Sequence, residues 1–68
     1  MDKAMLESKM ALHGDTRKTL AEYLGISERS LISKINEKGT EFRQGEIAAI
    51  KKRYSLSEDE VVNIFFNH

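Results

Sequence analysis

The sequence predicts an all-α protein with five short helices. Apolar residues recur at intervals of three and four, proline is absent, and β-branched residues do not alternate with polar ones. Because 68 residues can bury only one modest core, we expect a single domain over residues 1–68. Nearly every apolar side chain must then contribute to that core.

The first predicted helix covers residues 2–12. Leu6 and Met10 are four positions apart, so they share the face that packs on the core. His13 and Gly14 follow, and glycine readily adopts the left-handed conformation that commonly ends a helix. We therefore expect the chain to turn at Gly14.

The second and third predicted helices are joined by a very short turn. The second covers residues 17–24 behind Thr16 as its N-cap, and Gly25 ends it. The third covers residues 28–36 behind Ser27 as its N-cap. Two short helices therefore meet with almost no connecting chain.

Helices joined by so short a turn approach closely, and a side chain larger than a methyl group holds them apart. Ala21 meets this requirement, and Ile26 supplies an apolar plug in the turn. Other apolar residues of both helices complete the shared core: Leu20, Leu24, Leu31 and Ile35. An ordinary helical hairpin within a bundle would show the same pattern.

The outward face of the third predicted helix indicates a function beyond that of a structural hairpin. Steps of 100° per residue from Leu31 turn three polar side chains away from the core: Arg29, Ser33 and Asn36. Ser30 and Ile32 lie on the flanks. The face is polar and nearly free of long acidic side chains, which suits it to contact a ligand.

A loop over residues 37–40 separates this face from the fourth predicted helix, over residues 43–53. Phe42 is expected to pack beside its start. Its period of three to four residues predicts three buried side chains: Ile47, Ile50 and Tyr54.

The fifth predicted helix begins with a capping box between Ser57 and Glu60, and its acidic first turn suits the helix dipole. Only Asn63 is polar among residues 61–66. One helix face cannot bury all five apolar side chains of this segment. Part of it is expected to form a dimer contact, through Val62, Phe65 and Phe66, although a monomer that buries them is the alternative.

The net charge is zero, which is unusual for a nucleic-acid-binding protein, but the distribution is uneven. Residues 16–54 hold nine basic and five acidic side chains, so this segment carries an excess of four positive charges. A positive centre with acidic ends is compatible with docking on phosphate. An exposed charge mixture of this size is more often an ordinary solvated surface.

Several classes of protein are excluded or disfavoured. Without cysteine there are no disulfides or thiolate metal sites. No apolar run is long enough for a membrane span, and Asp2 and Glu7 interrupt any signal peptide, so we expect a cytoplasmic protein. His13 and His68 lack ligand or triad spacing, so we expect no enzyme, cofactor or metal.

A family resemblance covers nearly the whole chain. The segment at residues 20–27 has the pattern Leu-Ala-x-x-Leu-Gly-Ile-Ser, and further matching pieces are Lys34-Ile35-Asn36, Phe42 with Glu46-Ile47, and Ile64-Phe65-Phe66. In these segments the chain resembles lambda-repressor-like or Cro-type helix-turn-helix regulators, in particular the short phage-borne members. The resemblance implies a compact five-helix domain with the helix-turn-helix at about residues 16–36.

The resemblance also implies sequence-specific DNA binding, with a recognition helix at residues 28–36 in the major groove. Its implied base-contacting residues are Ser27, Glu28, Arg29 and Ser33, and side-chain chemistry adds Ile32 to this set. The side-chain chemistry agrees, because Arg29 can donate to guanine, Glu28 can accept from cytosine, and Ile32 can touch a thymine methyl group. Helix-dipole stabilisation by Glu28 and partial burial of Ile32 are the competing explanations.

Phosphate contacts are implied at helix starts and in the loop after the recognition helix, from Thr16, Arg17, Lys34, Lys38 and Arg43. Many family members have glutamine where this chain has Arg17, a change that retains a phosphate role. The implied partner is a palindromic double-stranded DNA operator, bound by a weak or DNA-assisted homodimer. The alternative function is a protein-interaction module, such as an antirepressor or an antitoxin-like partner that retains the fold.

Overall fold

A computed structural model describes residues 1–66 of the chain. Over this range the protein forms five α-helices and no strand, so the all-α prediction is confirmed. The helices are α1 (Lys3–Leu12), α2 (Arg17–Leu24), α3 (Glu28–Ile35), α4 (Gln44–Tyr54) and α5 (Glu58–Phe65). None of these helices is long and apolar enough to cross a membrane.

The helix starts follow from side-chain capping. Thr16, Ser27 and Ser57 each accept a hydrogen bond from the backbone N–H three residues later, as predicted. Asp2 caps α1 in the same way, accepting from the Met5 N–H at 3.0 Å, so it precedes that helix rather than beginning it. The other predicted boundaries are also within one residue of those observed, because local capping determines them.

The first four helices end in one shared pattern. A residue in the left-handed region follows each helix: Gly14, Gly25, Glu37 and Ser55, with φ of 71°, 73°, 54° and 52°. The next residue in each case donates its N–H to a carbonyl five positions earlier, as in Leu56 to Lys51 at 2.9 Å. The turns at the two glycines were predicted, whereas those at Glu37 and Ser55 were not.

The core contains eleven buried apolar residues: Leu6, Met10, Leu20, Ala21, Leu31, Ile35, Ile50, Tyr54, Leu56, Val61 and Ile64. Two residues predicted to be buried, Leu24 and Ile47, are only half-buried at the edge of this cluster. Leu56 lies in the short connection between α4 and α5 and was not predicted. It is buried because the turn at Ser55 directs the chain back over the core.

The helices pack in two groups that share this core. α2 packs against α3, and Ala21 is only 2% exposed on the side of α2 that faces the core. α5 packs against both α1 and α4, and the Asp2 N–H donates to the Ile64 carbonyl at 2.7 Å. An ion pair of 2.5 Å between Lys9 and Glu60 also joins α1 to α5. The inner face of α3 is thereby buried and its outer face is left open.

Candidate nucleic-acid interface

The five residues predicted to contact bases lie at the start, on the outer face and on the flank of α3. Ser27, Glu28 and Arg29 are exposed at the start of the helix, and Ile32 and Ser33 are half-buried one turn later. A groove runs along this face and extends past the end of α3, lined by Glu28, Arg29, Ile32, Ser33, Asn36 and Lys38. Four of the five predicted residues therefore line one groove, and Ser27 is exposed directly before them in the chain.

Ser27 has a structural role within this surface. Its hydroxyl accepts a hydrogen bond from the Ser30 N–H at 3.0 Å and donates one to the Ser30 Oγ at 2.9 Å. Both interactions stabilise the first turn of α3. A base contact from Ser27 would therefore compete with a cap that the helix already uses.

The Arg29 side chain makes no hydrogen bond or ion pair with any residue of the described part of the chain. Its guanidinium has five N–H donors and no acceptor. On an exposed helix face, those donors are available to a partner with paired acceptors, such as a guanine edge or a phosphate.

Arg17 lies on the far side of a second groove that borders α3. Its Nη2 is 2.5 Å from Glu7 Oε2 on α1, and both side chains remain partly exposed. This groove is lined by residues of three helices, including Glu7, Thr16, Arg17, Lys18, Glu28 and Ile32. The Arg17 guanidinium thus contacts α1 in the free protein and lies next to the outer face of α3.

Lys34 is directed into the fold instead of towards this surface. Its ammonium is 3.2 Å from Glu46 Oε1 and 3.2 Å from the Glu41 carbonyl oxygen, and its side chain is only 12% exposed. Glu46 Oε1 also accepts from the Arg43 N–H at 2.8 Å, at the start of α4. Lys34 therefore joins α3 to α4, and its charge is already paired.

Lys38 and Arg43 are exposed on opposite sides of the α3 region. Lys38 lines the groove along α3, whereas Arg43 lines a separate groove beside Gly25 and Ile26 in the turn between α2 and α3. Two exposed cations therefore flank α3, one near each end.

Comparison with family models, curated proteins and solved structures gives no match. Function must therefore be inferred from the chain's own residues.

An ionic cluster that was not predicted holds the start of α2 in place. The Asp15 carboxylate accepts two hydrogen bonds from Arg53, at 2.7 and 2.8 Å, and one each from Tyr54 at 2.6 Å and Thr19 at 2.8 Å. Its side chain is 5% exposed. Asp15 directly precedes Thr16, so the cluster determines where α2 begins relative to α4.

The cluster shifts the proton affinities of its members. The hydrogen bonds from Arg53, with those from Tyr54 and Thr19, hold the pKa of the Asp15 carboxyl far below its usual range. Burial, together with the hydrogen bond to Asp15, raises the pKa of the Tyr54 hydroxyl. Asp15 therefore stays ionised and Tyr54 stays neutral at physiological pH.

Aromatic rings extend this cluster. The Arg53 guanidinium lies 4.4 Å from the centre of the Tyr23 ring, and the His13 ring packs against Tyr54 at 4.9 Å. His13 thus has a packing role, and His68 lies outside the described residues. Within residues 1–66, no three His, Cys, Asp or Glu side chains are grouped so that they could hold a metal ion.

The apolar end of α5 is divided between the core and the surface. Val61 and Ile64 are buried, whereas Val62 and Phe66 are 51% and 56% exposed. Phe65 is half-buried and packs edge-on against Phe42, with 5.5 Å between ring centres. The predicted dimer-contact residues therefore have different environments.

Proposed function

We propose that this protein is a sequence-specific DNA-binding transcription regulator of the phage-repressor or Cro type, and that α3 enters the major groove of double-stranded DNA. One observation carries the proposal: α3 buries Leu31 and Ile35 while its opposite face is polar and open. An α-helix about 10–12 Å in diameter fits a major groove about 12 Å wide.

The chemistry of the exposed face supports this function. Arg29 is unpartnered within the described chain and offers two donors to guanine O6 and N7. Glu28, at the first position of α3, offers an acceptor to cytosine N4. A surface with donors and acceptors on one helix can distinguish base pairs, which a uniformly basic surface cannot.

Phosphate contacts follow from the cations around α3. We propose that Lys38 and Arg43 contact phosphates at the two ends of α3, and that Thr16 and Arg17 contact phosphates at the start of α2. Arg17 must exchange some of its contact with Glu7 for the phosphate. Lys34 contributes least, because Glu46 already pairs with it.

A homodimer on a palindromic operator completes the proposal. Val62 in α5 and Phe66 directly after this helix are exposed apolar residues, and Phe65 is half-buried. A two-fold contact through this surface would present two α3 helices to half-sites about 34 Å apart. Since the surface is small, we expect weak association in solution that DNA strengthens.

Duplex binding at several salt concentrations tests this function. We expect affinity for a nonspecific duplex to fall steeply with salt, because several phosphates are neutralised, and a random duplex pool to yield a defined preferred site. A matched control is the Arg29→Ala variant, which should retain nonspecific binding. A salt-independent affinity and no selected site would contradict DNA binding.

A protein-interaction module is the second candidate, and the exposed Val62 and Phe66 favour it together with the zero net charge. In that case Phe66→Ala would abolish binding to a protein partner, while nonspecific duplex binding would be absent in every variant. The salt titration therefore separates the two candidates.

A further inference from the structure

Lys3 of α1 reaches across the fold to the C-terminal end of α3. Its ammonium donates a hydrogen bond to Asn36 Oδ1 at 2.8 Å, although the residues are 33 positions apart in the chain. Both side chains are exposed. Asn36 follows the last residue of α3 and lines the groove along its outer face.

This contact determines which hydrogen-bonding groups Asn36 presents. A lysine ammonium has three donors and no acceptor, so only the amide oxygen of Asn36 can face it. The amide NH₂ group is then turned away from Lys3. Asparagine usually contacts adenine through both its oxygen and its nitrogen. Lys3 already uses one of the two lone pairs of that oxygen, so it competes with the adenine amino group for it.

The position of Asn36 relative to Arg29 is also informative. They are seven positions apart, which is about 20° short of two helical turns and about 10.5 Å along the helix axis. Both side chains therefore project from one side of α3. Because they lie two helical turns apart, the two residues would meet different base pairs of one major groove.

We propose that Asn36, positioned by Lys3, is a specificity-determining residue that donates its amide N–H groups to guanine. This inference rests on the proposed function and deepens it. Guanine presents two neighbouring acceptors, N7 and O6, in the major groove, whereas adenine presents one acceptor and one donor. The expected guanine is at a different base pair from the one that Arg29 contacts.

Selection from a random 20-base-pair duplex pool tests the inference with the whole chain and its variants. Wild-type protein should select guanine at the Asn36 position, and Asn36→Ala should lose preference there only. Lys3→Met frees the amide oxygen, so adenine should become acceptable and the guanine-to-adenine preference should fall by about tenfold. Arg29→Ala should lose preference at a different base pair, which identifies the position that Arg29 contacts.

A charge-matched control separates this effect from a general loss of positive charge. Lys52 is exposed on α4 and lines none of the grooves beside α3 or beside the turn before it, so Lys52→Met should weaken all duplexes alike and leave every base preference unchanged. In an Asn36→Ala background, Lys3→Met should also act uniformly.

Two negative results have different meanings. If Lys3→Met behaves like Lys52→Met while wild-type protein selects a defined site, the role of Asn36 is wrong and the proposed function stands. If wild-type protein selects no sequence at all, the proposed function is wrong and the inference fails with it.

Discussion

Asp15 is the residue that holds the start of α2 against the end of α4. Its carboxylate accepts from Arg53, Tyr54 and Thr19, and its side chain is almost fully buried. Each of these donors favours the charged carboxylate over the protonated acid. Since Thr16 and Arg17 follow directly, the proposed phosphate contacts at the start of α2 depend on this one ionised group.

This cluster makes the stability of the protein depend on pH at both extremes. The Asp15 pKa is lowered from 3.8, so its contribution is full above that value and is lost as the pH falls further. The Tyr54 pKa is raised from 10.0, so its contribution is full below pH 10.0 and is lost as the pH rises further. The contribution of this cluster to the free energy of unfolding in urea should therefore be constant between pH 3.8 and pH 10.0.

Two variants separate the loss of stability at low pH (the acid limb of the profile) from the loss at high pH (the alkaline limb). Tyr54→Phe should flatten the alkaline limb, whereas Tyr23→Phe, at an exposed tyrosine, should leave it intact. Asp15→Asn should reduce the loss of stability at low pH without abolishing it. The remaining loss comes from Glu60, whose pKa is also lowered, chiefly by its hydrogen bond with Lys9. An unchanged alkaline limb in Tyr54→Phe would show that the hydroxyl contributes nothing.

The helix ends show how one backbone pattern is used with different residues. Gly14 and Gly25 suit the left-handed conformation because they have no Cβ atom, whereas Glu37 and Ser55 adopt it at a cost of about 1–2 kcal/mol each. The polarity of the next residue does not explain the difference, because Ile26 and Leu56 both pack on the core. The two non-glycine turns are therefore sites of local strain.

Ser55→Gly should stabilise the protein. We expect the free energy of unfolding in urea to rise by about 0.5–1 kcal/mol, since relief of the left-handed strain exceeds the greater flexibility of glycine in the unfolded chain. The reciprocal change, Gly25→Ser at φ of 73°, should lower it by about 1 kcal/mol. Destabilisation by Ser55→Gly would mean that the serine side chain has a role its exposure does not suggest.

The elements that the sequence predicted well are those with a local cause. Thr16, Ser27 and Ser57 cap helices through the next three residues, and the buried faces follow from the helical period. The ends at Glu37 and Ser55 could not be predicted, because neither residue type favours positive φ. The burial of Leu56 depends on the turn at Ser55, so it could not be predicted either.

The same distinction between local and long-range causes applies to the candidate site. The outer face of α3 could be predicted because one helix carries it, and the period of 3.6 residues determines which side chains share it. The orientation of the Lys34 side chain could not be predicted, since it depends on an ion pair with Glu46 twelve positions later. The contacts of Asp15 with Arg53 and of Lys3 with Asn36 span 38 and 33 positions, and no sequence period encodes such distances.

At the scale of the whole molecule, polar and apolar surfaces occupy different parts of the fold. α3 and its flanking cations form one surface, and the exposed part of α5 contributes a small apolar surface through Val62 and Phe66. An exposed phenylalanine beside an exposed valine is too small a patch for tight association. Dimer formation is therefore expected to depend on a second contribution, which bound DNA can provide.

Phe65 and Phe66 should differ when each is truncated. Phe65→Ala removes the packing against Phe42, so it should lower the free energy of unfolding by about 1–3 kcal/mol. Phe66→Ala should leave stability within about 0.5 kcal/mol and weaken self-association, measured by sedimentation over a range of protein concentrations. If neither variant changes the concentration dependence, α5 does not mediate a dimer.

The comparison of Arg29→Ala with Arg43→Ala tests the proposed orientation of the whole molecule on DNA. Arg29 lies on the outer face of α3, so its loss should cost about 1–3 kcal/mol on the selected site and remove discrimination at one base pair. Arg43 lies beside the turn between α2 and α3, so its loss should weaken all duplexes alike and reduce the salt slope by about one contact. Because each variant removes one positive charge, a purely electrostatic surface would make them behave identically. Identical, uniform losses would therefore contradict the assignment of Arg29 to a base edge, and no loss in either would contradict DNA binding through α3.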